Sequence, residues 1–137
     1  MGRSGQLLTK ILAAIGYARD EVFICNILKC RPPDNRDPRP EEVACCHDYL
    51  ERQIELVDPR LILAVGRIAA HNLLQTDTPV GRLRGRVHHY GPAGIPLVVT
   101  YHPAALLRNA SFKRPVWEDM QQVRDRLAAD RRARSTP

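Results

Sequence analysis

The chain has 137 residues, 44% of them hydrophobic, which is enough for one soluble domain with a single core. Its formal net charge is +6, carried mainly by arginine, and this favours polyanionic partners as well as a solvated basic surface. Aromatic residues make up only 5%, which argues against a single-strand binder built on stacking. No apolar run is long enough for a transmembrane helix, and the N-terminus lacks a signal peptide, so we expect a cytoplasmic protein without membrane contact.

The first half of the chain predicts two helices and a strand around a proline-rich loop. Residues 4–15 carry an apolar stripe at helical spacing, and Gly16 is suited to the position after a helix. Residues 22–28 are β-branched, aromatic and apolar, which predicts a strand. Residues 30–40 hold four prolines and predict a loop, and Pro40–Val57 predicts a helix that starts on a proline.

The second half continues the alternation. The sequence LILAV at residues 61–65 predicts a strand buried on both faces, and residues 67–74 predict a helix. A short strand is expected near Val87, and a buried strand within residues 96–101. A helical stripe then covers residues 114–132, and residues 133–137 are expected to fray.

Alternating helices and strands predict an α/β fold: a three-layer α/β/α domain over residues 1–132 with a short, mainly parallel central sheet. Ligands of such sheets bind at the carboxyl ends of the strands. The predicted strands place three features there, at residues 26–30, at Gly66-Arg67 and at Tyr101-His102-Pro103.

The stretch TYHPAALLR places His102 directly after a predicted buried strand. Pro103 restricts the turn, and Arg108 has the chemistry to hold a phosphate. Leu106 and Leu107 fit an exposed loop tip. The alternative is a plain strand-to-helix turn whose leucines fold into the core.

Asn26 lies within a predicted strand, where a buried amide needs hydrogen-bond partners. Its side chain can accept from N3–H of uracil and donate to O4, whereas cytosine presents the reverse pattern. Asn26 is therefore a candidate for reading a base edge. The alternative is a satisfied polar residue at a sheet end.

All four cysteines lie between residues 25 and 46, and a cytosolic setting favours buried thiols or metal ligands over disulfides. Cys45 and Cys46 are adjacent in a predicted helix, so their side chains diverge by about 100°. Cys25 lies in a predicted strand, and Cys30 opens the proline-rich loop. We therefore do not expect all four to bind one metal. The cysteines remain open to two interpretations, as buried thiols or as metal ligands.

The chain resembles the family 4 (iron–sulfur) uracil-DNA glycosylases along nearly its whole length. The resemblance rests on these stretches: GRSGQLL, CNILKCRPPDNRDPRPEEVACC, PRLILAVGRIAA, GRLRGRV, TYHPAALLR and VWEDM. It implies a DNA repair enzyme of base excision repair that flips uracil out of DNA and hydrolyses its N-glycosidic bond.

The resemblance also implies roles for individual residues. His102 matches the residue that stabilises negative charge on the departing uracil, and Asn26 matches the residue that reads the uracil edge. Leu106 corresponds to a wedge that fills the space of the flipped nucleotide. The residues implied in DNA binding are Pro103, Leu106, Arg108, Arg82 and Arg84.

Cys30 and Cys46 match two of the four ligands of the family's [4Fe–4S] cluster. In the family, the other two ligands, a water-positioning acid and a ring that stacks on uracil lie upstream of the GRSGQLL-like stretch. We therefore expect a shortened, weakly active or inactive form that acts as a monomer on uracil-containing DNA. In a prokaryote it would be nucleoid-associated.

Two other functions compete with the glycosylase. One is a non-catalytic DNA-binding or partner-binding module derived from such an enzyme. The other is a structural domain stabilised by zinc or by a partial cluster.

Overall fold

The structure is a computed structural model that describes the backbone of residues 2–24 and 40–135 and the side chains of residues 2–24 and 48–131. The helices of this part are α1 (Arg3–Ala14), α2 (Pro40–Val57), α3 (Arg67–Leu74), α4 (Val80–Leu83), α5 (Pro103–Arg108) and α6 (Lys113–Ser135). Its strands are β1 (Ile62–Val65), β2 (Val87–Tyr90) and β3 (Ile95–Thr100). Short 3-10 turns cover Arg19–Glu21 and Ala110–Phe112.

The predicted N-terminal helix is confirmed as α1, whose apolar stripe faces the core. Gly16 follows it with a φ of +89°, a conformation in which glycine is free of Cβ strain. The strand predicted over residues 22–28 does not form at residues 22–24, where Phe23 and Ile24 are exposed and pair with no described strand. The remainder of that prediction, and the loop predicted over residues 30–40, lie outside the described residues.

The described strands form one sheet in the order β1-β3-β2. β1 and β3 are parallel, with Val65 opposite Thr100, so the two strands end side by side. β2 and β3 are antiparallel because a tight turn over residues 91–94 joins them, and such a turn can connect only antiparallel neighbours. The α/β class is confirmed, and the short strand expected near Val87 forms the antiparallel edge.

Two apolar cores lie on opposite faces of the sheet, which confirms the three layers. Along β3 the side chains alternate, so that Val98 faces one core while Leu97 and Val99 face the other. The site-side core lies between the sheet and α1, α5 and α6, and consists of Leu12, Ile15, Val98, Leu106, Val116, Met120 and Val123. The far-side core lies under α2, α3 and α4, and consists of Leu50, Ala64, Ala70, Leu73, Leu83, Leu97 and Val99.

Two predictions about single elements need correction. β1 was expected to be buried on both faces, but only its Ala64 is fully buried, because β1 forms an edge of the described sheet. α6 continues past Arg132 to Ser135, so the helix includes residues 133–135, which were expected to fray. Among the described residues, no helix is both long and apolar enough to cross a membrane.

Candidate active site

The candidate site lies where β1 and β3 end together. The backbone N–H of Gly66, directly after β1, donates to the carbonyl of Thr100, the last residue of β3, at 2.9 Å. Gly66 has a φ of +96°, and a Cβ built on it would lie 2.9 Å from Cβ of His102. Such a contact is closer than van der Waals packing permits, so only glycine fits here. The end of β1 thus forms a wall against which His102 packs.

His102 is held in one orientation by the turn that begins α5. It is the N-cap residue, with an extended backbone, and Pro103 occupies the first helical turn. The backbone N–H of Ala104 donates to Nδ1 of His102 at 3.0 Å, and the N–H of Ala105 donates to its carbonyl at 2.8 Å. The imidazole therefore serves as a helix cap while its other nitrogen remains available.

The surroundings of His102 disfavour the protonated form of its ring. Partial burial of the ring lowers its pKa below the ordinary value of 6.5, and the positive charge of Arg108 lowers this pKa further. In the neutral ring Nδ1 is the acceptor for Ala104, so the proton is carried by Nε2. His102 is thus a hydrogen-bond donor through Nε2 at neutral pH.

The strand end beneath His102 is fixed by buried polar side chains. The hydroxyl of Thr100 donates to Oδ2 of Asp119 at 2.7 Å, and Nε of Arg84 donates to the same oxygen at 3.0 Å. Thr100 and Asp119 are each 1% exposed. Sequence reasoning missed both residues, although Asp119 falls between Val116 and Met120 on the apolar stripe of α6, a place where a carboxylate needs an explanation.

The two leucines of the HPAALLR stretch have opposite surroundings. Leu106 is only 6% exposed and belongs to the site-side core, whereas Leu107 is 43% exposed. The structure thus places Leu106 in the core and not at the surface where a wedge in DNA would act, and the role predicted for this residue stays a prediction. Pro103 is also buried and shapes the turn without offering a contact surface, while Arg108 is exposed.

The arginines of the GRLRGR stretch also differ. Arg82, in the last turn of α4, is exposed. Arg84 turns inward to Asp119, and its Nη2 donates to the carbonyl of Pro115 at 3.2 Å. The hydrogen bond to Asp119 raises the pKa of Arg84 above its ordinary value. The predicted DNA contact of Arg84 stays a prediction, and a phosphate would have to compete with this carboxylate.

Three predicted site residues cannot be placed against His102. Asn26 and Cys30 lie outside the described residues. Cys46 lies within the range of α2, but its side chain is outside the described part. The described side chains contain no group of three or more histidine, cysteine or acidic residues with metal-binding geometry, so they supply no alternative metal site.

Comparison with known proteins identifies the family. Residues 1–121 match the profile of the Uracil DNA glycosylase superfamily. A Type-4 uracil-DNA glycosylase of Archaeoglobus fulgidus is 42% identical over 129 residues, which are 90% of this chain and 65% of that protein. The Type-4 enzyme of Thermotoga maritima is 39% identical over 127 residues, 90% of this chain and 66% of that protein.

A Type-5 uracil-DNA glycosylase of Pyrobaculum aerophilum is 35% identical over 111 residues, 80% of this chain and 47% of that protein. The chain spans just under two thirds of the length of the two Type-4 relatives. The predicted resemblance to the type-4 enzymes is thereby confirmed. The chain belongs to the uracil-DNA glycosylase superfamily.

Proposed function

We propose that this chain carries the leaving-group half of a glycosylase site that hydrolyses the N-glycosidic bond of uracil in DNA. The observation that carries the proposal is the geometry of His102, capped through Nδ1 and packed on Gly66 at the carboxyl ends of two parallel strands. The names of the relatives support uracil as the base.

Departure of uracil requires a hydrogen bond from His102 that strengthens during the reaction. As the glycosidic bond breaks, the electron pair stays with uracil and negative charge develops on its carbonyl oxygens. The Nε2–H of a fixed, neutral His102 donates to one of these oxygens, and the ring does not have to move as the charge develops. One such preorganised donor contributes roughly 10²- to 10³-fold in rate.

Asn26 is proposed to read the uracil edge. A single amide accepts from N3–H and donates to O4, and this pairing rejects cytosine by leaving two polar groups mismatched. The residue follows the described segment that ends at Ile24, and the proposal rests on its match to the family motif in CNILKC.

The DNA backbone is proposed to contact Arg82 and Arg108, both exposed, while the buried pair commits Arg84 to Asp119. Leu107, and not its buried neighbour Leu106, has the exposure that a wedge in the duplex requires. The formal net charge of +6 supports a salt-dependent interaction with phosphates.

Cys30 and Cys46 are proposed as thiolate ligands of the cluster found in iron–sulfur enzymes of this family. Cysteine thiolates are the usual ligands of such clusters, which here would brace the fold. Iron and sulfide analysis of Cys30→Ser and Cys46→Ser, with Cys25→Ser and Cys45→Ser as matched controls, tests this assignment. Loss of iron in the first pair alone is expected, and equal loss in all four variants would contradict it.

The proposed activity is tested with an oligonucleotide that carries one uracil, followed by alkaline cleavage of abasic sites. We expect slow excision by the 137-residue chain, and a further loss of about 100-fold in His102→Ala. His89→Ala is the matched control, because His89 is exposed on β2. An unchanged rate in His102→Ala would contradict the role assigned to that residue.

The exposed Arg82 and Arg108 also favour a second candidate, a DNA-binding module without catalysis. The same oligonucleotide separates the two: binding that weakens with salt, with no excision by the chain, supports the module. Arg82→Ala is expected to reduce that binding, while Arg52→Ala, an exposed arginine on α2, is expected to leave it unchanged.

A further inference from the structure

The carboxylate of Asp119 is the most deeply buried charge among the described side chains that make ion pairs. It projects from α6 toward the end of β3 and is 1% exposed. An ionised carboxylate in such surroundings is costly unless hydrogen bonds and an opposite charge compensate it. Oδ2 of Asp119 receives both, from the hydroxyl of Thr100 and from Nε of Arg84.

The two bonds to Asp119 connect three parts of the chain that are far apart in sequence. Arg84 follows α4, Asp119 is on α6, and Thr100 ends β3. Arg84 is itself held by a second bond, from Nη2 to the carbonyl of Pro115. Neither Arg84 nor Asp119 can shift without disturbing the other, so the carboxylate has a defined position beneath the strand.

Thr100 links Asp119 to the site through two hydrogen bonds. Its hydroxyl is bound by Asp119, and its carbonyl accepts from the N–H of Gly66 on the neighbouring strand. The last residue of β3 is therefore fixed from two directions. His102 lies two residues further along, and its Cβ is so close to Gly66 that a Cβ added there would lie 2.9 Å away. A small rotation of the strand end would displace the imidazole.

We propose that Asp119 is a positioning residue for His102, acting through the hydroxyl of Thr100, with Arg84 as its fixed counter-ion. The kinetic consequence rests on the proposed function, whereas the structural consequence does not. Stability alone explains the carboxylate poorly, because an apolar side chain in line with Val116 and Met120 would fill the same place at least as favourably.

The test removes the hydroxyl of Thr100 and restores it. Thr100→Val keeps the shape of the side chain but cannot donate to Asp119, and Thr100→Ser returns the donor. Thr9→Val is the matched control, because the hydroxyl of Thr9 also bonds an arginine, Arg19, and a backbone carbonyl away from the site. All variants are made in the full chain.

The direct readout is NMR of the hydrogen bond from Ala104 to His102. In Thr100→Val we expect the Ala104 amide to exchange about tenfold faster than in the wild type, after correction for global stability through the amide of Val98. The His102 pKa is expected to move toward its ordinary value. Thr100→Ser should lie within about twofold of the wild type, and Thr9→Val should show no change at Ala104.

The kinetic readout is single-turnover excision of uracil together with the Kd for the same DNA. Thr100→Val is expected to lower the excision rate constant about tenfold while the Kd stays constant, because only the orientation of His102 changes. Asp119→Asn, which retains an acceptor for Thr100 but not the charge, is expected to give a smaller loss in the same direction.

Unchanged Ala104 exchange and His102 pKa in Thr100→Val would overturn the proposal and leave Asp119 a purely structural residue. An equal response in Thr9→Val would overturn it as well. A wild-type chain that excises no uracil defeats the proposed function but leaves the NMR comparison valid, so the two failures can be told apart.

Discussion

The two faces of the sheet pack against different kinds of side chains. The far-side core is a cluster of leucine, valine and alanine beneath α2, α3 and α4. The face toward α6 combines a similar apolar cluster with an ion pair between the buried Asp119 and the partly buried Arg84. This pair lies directly under the strand end that leads to His102. Apolar packing is tolerant of small shifts, whereas a shared carboxylate oxygen specifies distances and angles.

The difference teaches where precision is needed. Helices on the far side pack on the sheet mainly through apolar side chains, and such packing tolerates substitutions that keep the volume. The face that presents His102 also has to fix a direction, and hydrogen bonds provide one. Substitutions that touch one face or the other therefore separate stability from the geometry of the site.

Leu106→Ala and Leu107→Ala test the sharpest contrast within that face. Leu106→Ala is expected to lower the free energy of unfolding by about 3 kcal/mol, because it opens a cavity in the site-side core. Leu107→Ala should cost under about 0.5 kcal/mol, since Leu107 is 43% exposed. Urea denaturation measures both.

The same pair of variants tests the wedge. Leu107→Ala is expected to slow uracil excision from duplex DNA more than from single strands, where no space has to be filled after the base leaves the stack. If excision from duplex and single strands falls by the same factor, Leu107 is not the wedge.

Gly66→Ala is expected to reduce excision about 100-fold, because the new methyl group would displace His102. Gly91→Ala is the matched control: Gly91 also has a positive φ, of +70°, but a Cβ there meets no atom within 4 Å. Gly91→Ala should lose roughly 1–2 kcal/mol of stability from backbone strain, and Gly66→Ala should lose more because it adds the contact with His102. Single-turnover excision then isolates the contact, and equal activity in the two variants would contradict it.

Val98→Ala and Val99→Ala compare the two faces with one chemical change. Both valines are fully buried neighbours on β3, and each deletion should lower the free energy of unfolding by about 2 kcal/mol. Only Val98→Ala is expected to alter hydrogen exchange at Ala104, because Val98 shares a core with Leu106 of α5. A response of the same size in Val99→Ala would remove the distinction between the faces.

The smallest effect concerns pH and Arg108. Since the pKa of His102 lies below 6.5 in the folded chain, excision should be constant above that pH and decline under more acidic conditions. The unfolded chain binds this proton more readily than the folded one, so the stability due to neutral His102 is complete above pH 6.5 and is lost as pH falls. Denaturation at several pH values measures it.

Arg108→Gln should move the decline in excision to higher pH, because the cation that disfavours protonation of His102 is gone. Lys113→Gln, which removes an exposed charge with no part in the His102 pKa, is the control. A decline at the same pH in Arg108→Gln and the wild type would mean that another group governs the acidic limb.

Local patterns were enough to predict most elements and the position of His102 after a buried strand. The stripe of α1, the full range of α2, the helix α3 and the turn at His102 follow from spacing, prolines and the placement of apolar runs. These features are set by interactions between residues a few positions apart, which a sequence displays directly. α4 was not predicted because its single turn carries no periodic signal.

By itself, the sequence determined the α/β class, the alternation of helices and strands, and a histidine at the carboxyl end of a buried strand. Only the tertiary structure decided that Leu106 is buried and Leu107 exposed, that Arg84 faces Asp119 and not solvent, and that Gly66 bears against His102. The physical reason is the separation in sequence between the residues that interact. Hydrophobic periodicity is local, whereas the hydrogen bonds that Thr100 and Arg84 donate to Asp119 span 19 and 35 residues and exist only once the layers are packed.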